Sequence, residues 1–356
     1  MKISILISFI LILVLSSIML FAANGTKVVP PKNGGIYFGA FPDFGGEENI
    51  VTKSRIDRFQ SLANKEIAWA TFSQHWFQGM GYPKKEIHEI HAMGITPFVR
   101  LLPRSNLKEF QKEERFSLEK IINGDFDDLL NQWAIEAKKD NIPLMVDFAV
   151  EMNGDWFGWS GKQNGANSKG NYGNPSLYDG PEKYRDAYRH IIDIFRAKEV
   201  THITWFFHPT INSTPKEEWN SPKHYYPGDD YIDWIGISIY GPFHPKENYW
   251  DTFEEILSSN YKSILEISST KPFAILEFGV TDHHPLGDKA EWLENAFSVI
   301  LSQKYIDFKA INYWHENWDN DGSLTSIRID SSAKSLNTFQ KLIGDERFIS
   351  KLQYSK

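Results

Sequence analysis

The sequence predicts a single (β/α)8 barrel domain, and three observations predict it. Eight short apolar runs recur along the 356 residues. Most are near-continuous rather than alternating, as parallel strands buried on both faces are. Stretches of helical periodicity lie between them. Polar and aromatic residues gather just past the ends of the runs, where barrels of this kind carry their sites. A doubly wound sheet is the alternative, but it usually has a glycine-rich phosphate loop after its first strand. Here Phe41-Pro42-Asp43-Phe44-Gly45-Gly46 stands in that place, without the pattern.

The chain begins with Met1-Lys2 and an apolar run over 3–23, interrupted only by Ser4, Ser8, Ser16 and Ser17 and ending in Ala22-Ala23. One positive charge, an apolar stretch and small residues at its end read as a secretory signal. The run is nearly long enough to span a bilayer, so an uncleaved membrane anchor is the alternative. Both readings place the rest outside the cytoplasm. Residues 24–33 read as a linker and 34–356 as the barrel domain, expected to be a monomer.

The strands are expected at 36–41, 67–72, 96–101, 144–149, 203–207, 234–240, 273–278 and 310–314. Among the helices, Pro181 opens a stripe of Tyr184, Tyr188, Ile191, Ile192 and Phe195. Asp288 with Glu291 starts the next clear stripe, built from Trp292, Leu293, Ala296, Phe297 and Ile300. A last helix follows Ser332 and ends near Gly344. Trp133, Trp205, Trp234 and Trp292 lie inside strand or helix patterns and are expected in the core. Residues 154–180 form a long glycine- and asparagine-rich loop after strand four; loops of that length are usually functional or disordered.

Composition removes several functions. Lys and Arg number 38 against 46 Asp and Glu, a formal charge of −8, which opposes nucleic-acid binding. There is no Cys, so thiol nucleophiles, Cys-ligated zinc and Fe–S clusters are excluded. His283-His284 lacks a third ligand at metal spacing, and 319–323 lacks the terminal Glu of a calcium loop. No metal site and no cofactor are expected; P-loop, Rossmann and GxSxG motifs are absent.

The strand ends supply the chemistry. Glu151 and Glu277 each close an apolar strand, where a carboxylate is costly without a partner or a purpose. The plainer reading of either Glu is a surface residue or a salt-bridge partner, for instance to Arg100. Aromatic residues suit sugar rings, whose apolar faces lie flat on them. Two carboxylates across one barrel mouth, roughly 5–5.5 Å apart, are what retaining glycoside hydrolysis needs. The segment Val150-Glu151-Met152-Asn153-Gly154-Asp155-Trp156-Phe157-Gly158-Trp159 resembles the acid/base motif of glycoside hydrolase family 26. Tyr225-Tyr226-Pro227-Gly228-Asp229-Asp230-Tyr231-Ile232-Asp233-Trp234-Ile235-Gly236 resembles its lead-in to strand six, and Glu277-Phe278-Gly279 its nucleophile strand end.

The resemblance implies a secreted retaining endo-β-glycanase, with Glu151 as acid/base and Glu277 as nucleophile. It implies a β-linked polysaccharide substrate, mannan ahead of mixed-linkage β-glucan or xylan; a catalytically silent polysaccharide-binding protein is the rival. Tyr240 matches the tyrosine that hydrogen-bonds the nucleophile. Trp156 and Trp314 match aromatic residues beside the scissile bond. Trp76, Trp159, His208 and Arg100 complete the expected substrate-binding set. The family usually has His immediately before the acid/base Glu, where this chain has Val150.

Overall fold

The computed structural model describes residues 27–320 and 322–355. The expected signal or anchor and the start of the linker lie outside the described residues. Eight parallel strands close on themselves: β1 (Ile36–Phe41), β2 (Trp69–His75), β3 (Thr96–Leu102), β4 (Leu144–Phe148), β5 (Ile203–Phe207), β6 (Trp234–Tyr240), β7 (Phe273–Gly279) and β8 (Phe308–Trp314). Closure is between β8 and β1, in register from Tyr37 opposite Ala310 to Phe41 opposite Trp314. The chain is therefore the (β/α)8 barrel that the sequence predicts.

Helices α1 (Lys53–Ala63), α2 (Lys84–His91), α3 (Leu118–Ile122), α4 (Asp127–Asp140), α5 (Asp179–Ala197), α6 (Phe253–Leu265), α7 (Lys289–Ser302) and α8 (Ala333–Ile343) surround the strands. Local chemistry sets their starts. Thr252 and Glu255 form a reciprocal capping box on α6, and the side chains of Asp288 and Ser332 accept backbone N–H groups at α7 and α8. One connection departs from the expected alternation. Between β5 and β6 the chain runs through two short 3₁₀ turns, Glu218–Asn220 and Pro222–His224, instead of an α-helix.

The core has two parts. Strands and helices sandwich a large apolar layer that includes Trp133, Trp205 and Trp292. A second cluster fills the barrel interior with Tyr37, Trp69, Phe98, Met145, Phe206, Trp234 and Leu276. Side chains two residues apart on a strand share a face. The inward positions just above this plug are therefore Arg100 after Phe98, Asp147 after Met145, His208 after Phe206 and Asn312 after Ala310. The interior is apolar at the bottom and polar at the top.

Two devices aim the top layer. Trp69 lies across Gly39, where a Cβ would come within 2.0 Å of the indole. The β6–β7 ladder slips by one residue, so that Ile237 faces Ile275 but Ser238 faces Glu277. This bulge lets Leu276 plug the barrel while Glu277 turns toward its mouth. Buried Asn312 holds the bulge, donating to the Leu276 carbonyl at 2.8 Å and accepting from Trp69 Nε1 and Thr71.

Candidate active site

Glu277 lies two residues before the end of β7 in a buried position, 6% exposed. Tyr240 Oη donates to its Oε2 at 2.8 Å, and Arg100 Nη2 stands 2.9 Å from its Oε1. Arg100 is also buried; it faces Glu48 at 3.6 Å, and its guanidinium lies 4.7 Å over the Trp314 ring. Burial raises the Glu277 carboxyl to about 7, with the Glu151 charge adding to the rise. Arg100, His208 and the Tyr240 hydroxyl pull it back down.

Glu151 follows β4 on a strained turn, with φ of 49° at Ala149 and 56° at Glu151. Its backbone N–H donates to the His208 carbonyl at 2.7 Å, which ties the turn to β5. Trp156 Nε1 donates to Glu151 Oε2 at 3.0 Å. Gly154 makes room for that tryptophan, since a Cβ there would sit 2.5 Å from the indole. Burial pushes the Glu151 carboxyl up, against the opposing pull of Ser238, Arg100 and Trp156.

The two carboxyls thus flank one residue. Ser238 pairs with Glu277 along the β6–β7 ladder, and its hydroxyl side lies toward Glu151, whose carboxyl it helps hold down. Both groups are raised by burial, so the pair holds a proton more readily than two exposed carboxylates would. Arg100 and Tyr240 contact Glu277 directly and favour its anionic form.

Several residues expected to contact substrate are deeply packed. Trp76, 3% exposed, packs edge-on against Phe116 and Phe126, each at 5.7 Å, beneath the loops. Trp159, 1% exposed, stacks on Phe157 and donates to the Val150 carbonyl. His208, 1% exposed, is enclosed by Asp147 and Ser238. Trp314 is stacked on Phe41 with ring centroids 4.1 Å apart and lies under Arg100. These four are buried and packed against other side chains beneath the mouth. The cause is common to all: the packed layers below the mouth consume aromatic and imidazole groups that also suit sugars. Trp156 and Tyr240 remain part-exposed beside the carboxyls, and Val150 is fully buried.

Three acidic residues of the mouth have partners that the sequence did not show. Asp43, after β1, pairs with Arg328. Glu48 accepts from Ser73 and faces Arg100 and His75. Glu316, two residues past β8, accepts from Trp314 Nε1 at 3.0 Å, and burial beside Glu48 and Asp43 raises it to about 8.

Glu316 makes a direct prediction. Its folded value lies above that of an exposed carboxyl, so wild-type stability falls as pH rises from about 4.5 toward 8. Glu316→Gln removes that titration. Urea unfolding across this range should show the variant gaining on the wild type as pH rises; a constant difference would refute the assigned environment.

No group of three or more His, Asp or Glu side chains that could hold a metal ion occurs among the described residues. No helix among them is long and apolar enough to cross a membrane.

Known proteins resemble this chain at three levels. Endoglucanase H of Acetivibrio thermocellus is 25% identical over 346 residues, 97% of this chain but 34% of that protein. A mannan endo-1,4-beta-mannosidase of Bacillus subtilis is 29% identical over 181 residues, 51% of this chain and 41% of that protein. The chain therefore spans between a third and half of the length of these relatives. Among solved structures, a GH26 beta-mannanase from Bacteroides ovatus superposes with a TM-score of 0.60 at 18% identity, covering 89% of this chain and 91% of that one. The family model for glycosyl hydrolase family 26 matches residues 70–273. Because that match runs from the second barrel strand to the start of the seventh, over more than half of the sequence, this chain belongs to glycosyl hydrolase family 26.

Proposed function

We propose that this chain is a retaining endo-β-glycanase in which Glu277 is the nucleophile and Glu151 the acid/base, with β-1,4-mannan its foremost substrate. The observation that carries the reading is the unequal dressing of the two carboxyls. Glu277 has a guanidinium and a phenol, which stabilise an anion that must attack the anomeric carbon. Glu151 accepts from an indole and, among the described residues, forms no ion pair, which suits a group that must hold a proton and then give it up. When Glu277 becomes the glycosyl ester its charge disappears. Glu151 then ionises more readily and takes a proton from the incoming water.

A second reading has its own support. Endoglucanase H, whose similarity spans nearly all of this chain, favours a β-glucan substrate. The apolar run over 3–23 supports export, so that either polysaccharide would be met outside the cytoplasm.

The test incubates the protein with mannan, glucomannan, mixed-linkage glucan and xylan and measures new reducing ends beside a Glu277→Ala control. Release that requires Glu277, with the β-anomer formed first by proton NMR, is expected. An α-anomer formed first would refute the double displacement. Binding to one glycan without release from any would make the chain a carbohydrate-binding protein.

A further inference from the structure

An element outside the strand–helix alternation stands beside the mouth. After β8 the chain turns into a short antiparallel hairpin, Asn317–Asn320 against Ser323–Ser326, before it enters α8. Residues opposite one another in such a pair share a face. Trp318 lies opposite Thr325, and Asp319 opposite Leu324. Thr325 is fully buried and Leu324 is 57% exposed. The Trp318 face of the hairpin is therefore turned toward the protein and the Leu324 face toward solvent.

The hairpin is fastened at its base. The Ser326 N–H donates to Thr281 Oγ1 at 3.2 Å, and the Ser326 carbonyl accepts from the Asp282 N–H at 3.0 Å. Lys289, 1% exposed at the start of α7, donates to the carbonyls of Ser326 and Arg328 at 3.0 and 2.7 Å and to the Ser331 hydroxyl at 2.9 Å. A buried ammonium group is costly unless its hydrogens are bonded. Here three acceptors meet its three hydrogens, and all three lie on the return from the hairpin. The fold thus commits a buried charge to holding this arm in one place.

The arm extends a row of rings that starts at the nucleophile. Tyr240 Oη donates to Glu277. Phe243, in the loop after β6, lies 4.6 Å from the Tyr240 ring, and Trp318 lies 5.8 Å from Phe243. All three rings are part-exposed, unlike the packed tryptophans beneath the mouth. The row also has a direction relative to the reaction. Trp156 and Glu151 follow β4, which lies across the ring of eight strands from β8. An acid/base protonates the oxygen of the leaving sugar, so the departing half of a polysaccharide passes Glu151 and Trp156. The half that stays bonded to Glu277 runs the other way, toward the β8 rim.

We propose that Phe243 and Trp318 form a carbohydrate-binding arm that holds a sugar of the retained half of a β-linked polysaccharide, beyond the sugar bonded to Glu277. The proposal rests on the retaining-hydrolase reading and adds to it a preference for long chains. A flat aromatic ring and the apolar face of a pyranose gain by leaving water together. A chain long enough to reach the arm makes that contact, and a short one does not. Because the contact is remote from the bond that breaks, it is equally strong before and during the reaction. It lowers KM and leaves kcat in place.

The test compares Trp318→Leu with Trp318→Phe. Leucine fills space against Phe243 but offers no flat ring; phenylalanine offers one. On the cleaved polysaccharide, Trp318→Leu should raise KM about tenfold, the scale of one aromatic contact, with kcat held. Trp318→Phe should keep most of the wild-type KM. Calorimetric titration of Glu277→Ala protein with mannohexaose and with cellohexaose should show the same order of affinities for the hexaose that binds. Equal affinities with leucine and tryptophan, a fall in kcat without a rise in KM, or no binding of either hexaose overturns the arm. If Trp318→Leu does not fold, NMR of 15N-tryptophan-labelled protein decides: the Trp318 indole signal, identified by its loss in Trp318→Phe, should shift when hexaose is added, and a signal that stays still overturns the arm. Wild-type protein that releases no reducing ends from any glycan overturns the hydrolase reading, whereas the hexaose titrations report on the arm independently of turnover.

Discussion

Glu277→Ala should lower kcat/KM on the cleaved glycan by a factor on the order of 10⁵, the scale of removing a nucleophile from a covalent mechanism. The loss should exceed that of any substitution among the aromatic residues. The variant keeps Glu151, so the leaving group can still be protonated. Alanine also vacates space beside Arg100 and Tyr240, both of which bind an anion there in the wild type. Added azide should therefore enter that space and attack the sugar once, giving an α-glycosyl azide. Glu151→Ala should behave differently. With an activated aryl glycoside it still forms the glycosyl–enzyme, because a good leaving group needs no acid. Azide then opens the ester in a second displacement and yields a β-glycosyl azide. Opposite product anomers from the two variants, read by proton NMR, would fix each glutamate in its role. The same anomer from both would remove the distinction between them.

The barrel is legible in the sequence because parallel strands buried on both faces write themselves as apolar runs. Glu151 and Glu277 are legible because each interrupts such a run at its end. What lies between strand and site is harder to read. Arg100 and Asp147 sit within apolar runs, and only the alternation from Phe98 and Met145 marks them as inward and high in the barrel. Alternation alone would turn Glu277 away from Leu276's side; the bulge that brings it inward is a matter of register between strands and leaves no mark in one strand's sequence. The aromatic residues were harder still. Trp76, Trp159 and Trp314 carry the same chemistry as Trp156, and only packing separates supports from groups beside the mouth. The missing helix between β5 and β6 was masked by regular strand spacing, which implies a connection but not its form.

Arg100 carries the largest stability prediction. Its guanidinium is 5% exposed, stands 2.9 Å from Glu277 and 3.6 Å from Glu48, and lies against the Trp314 ring. Arg100→Met keeps much of the volume but deletes the charge, leaving two carboxyls without their cation. Breaking a buried pair in this way costs about 3–5 kcal/mol. The cost should depend on pH, and its sign can be worked through. With Arg100 in place, the Glu48 carboxyl is held below its ordinary value, so it adds stability above the unfolded value, lost as pH falls through the folded one. Without Arg100, burial raises both Glu48 and Glu277, and each then subtracts stability as pH rises past about 4.5. The gap between wild type and variant should thus be small near pH 4 and grow toward pH 8. Urea unfolding at both ends of that range measures it. A gap that does not change with pH would mean that Arg100 acts through packing on Trp314 rather than through charge. A gap that widens with pH would make this one cation both the support of the barrel mouth and the group that keeps Glu277 an anion.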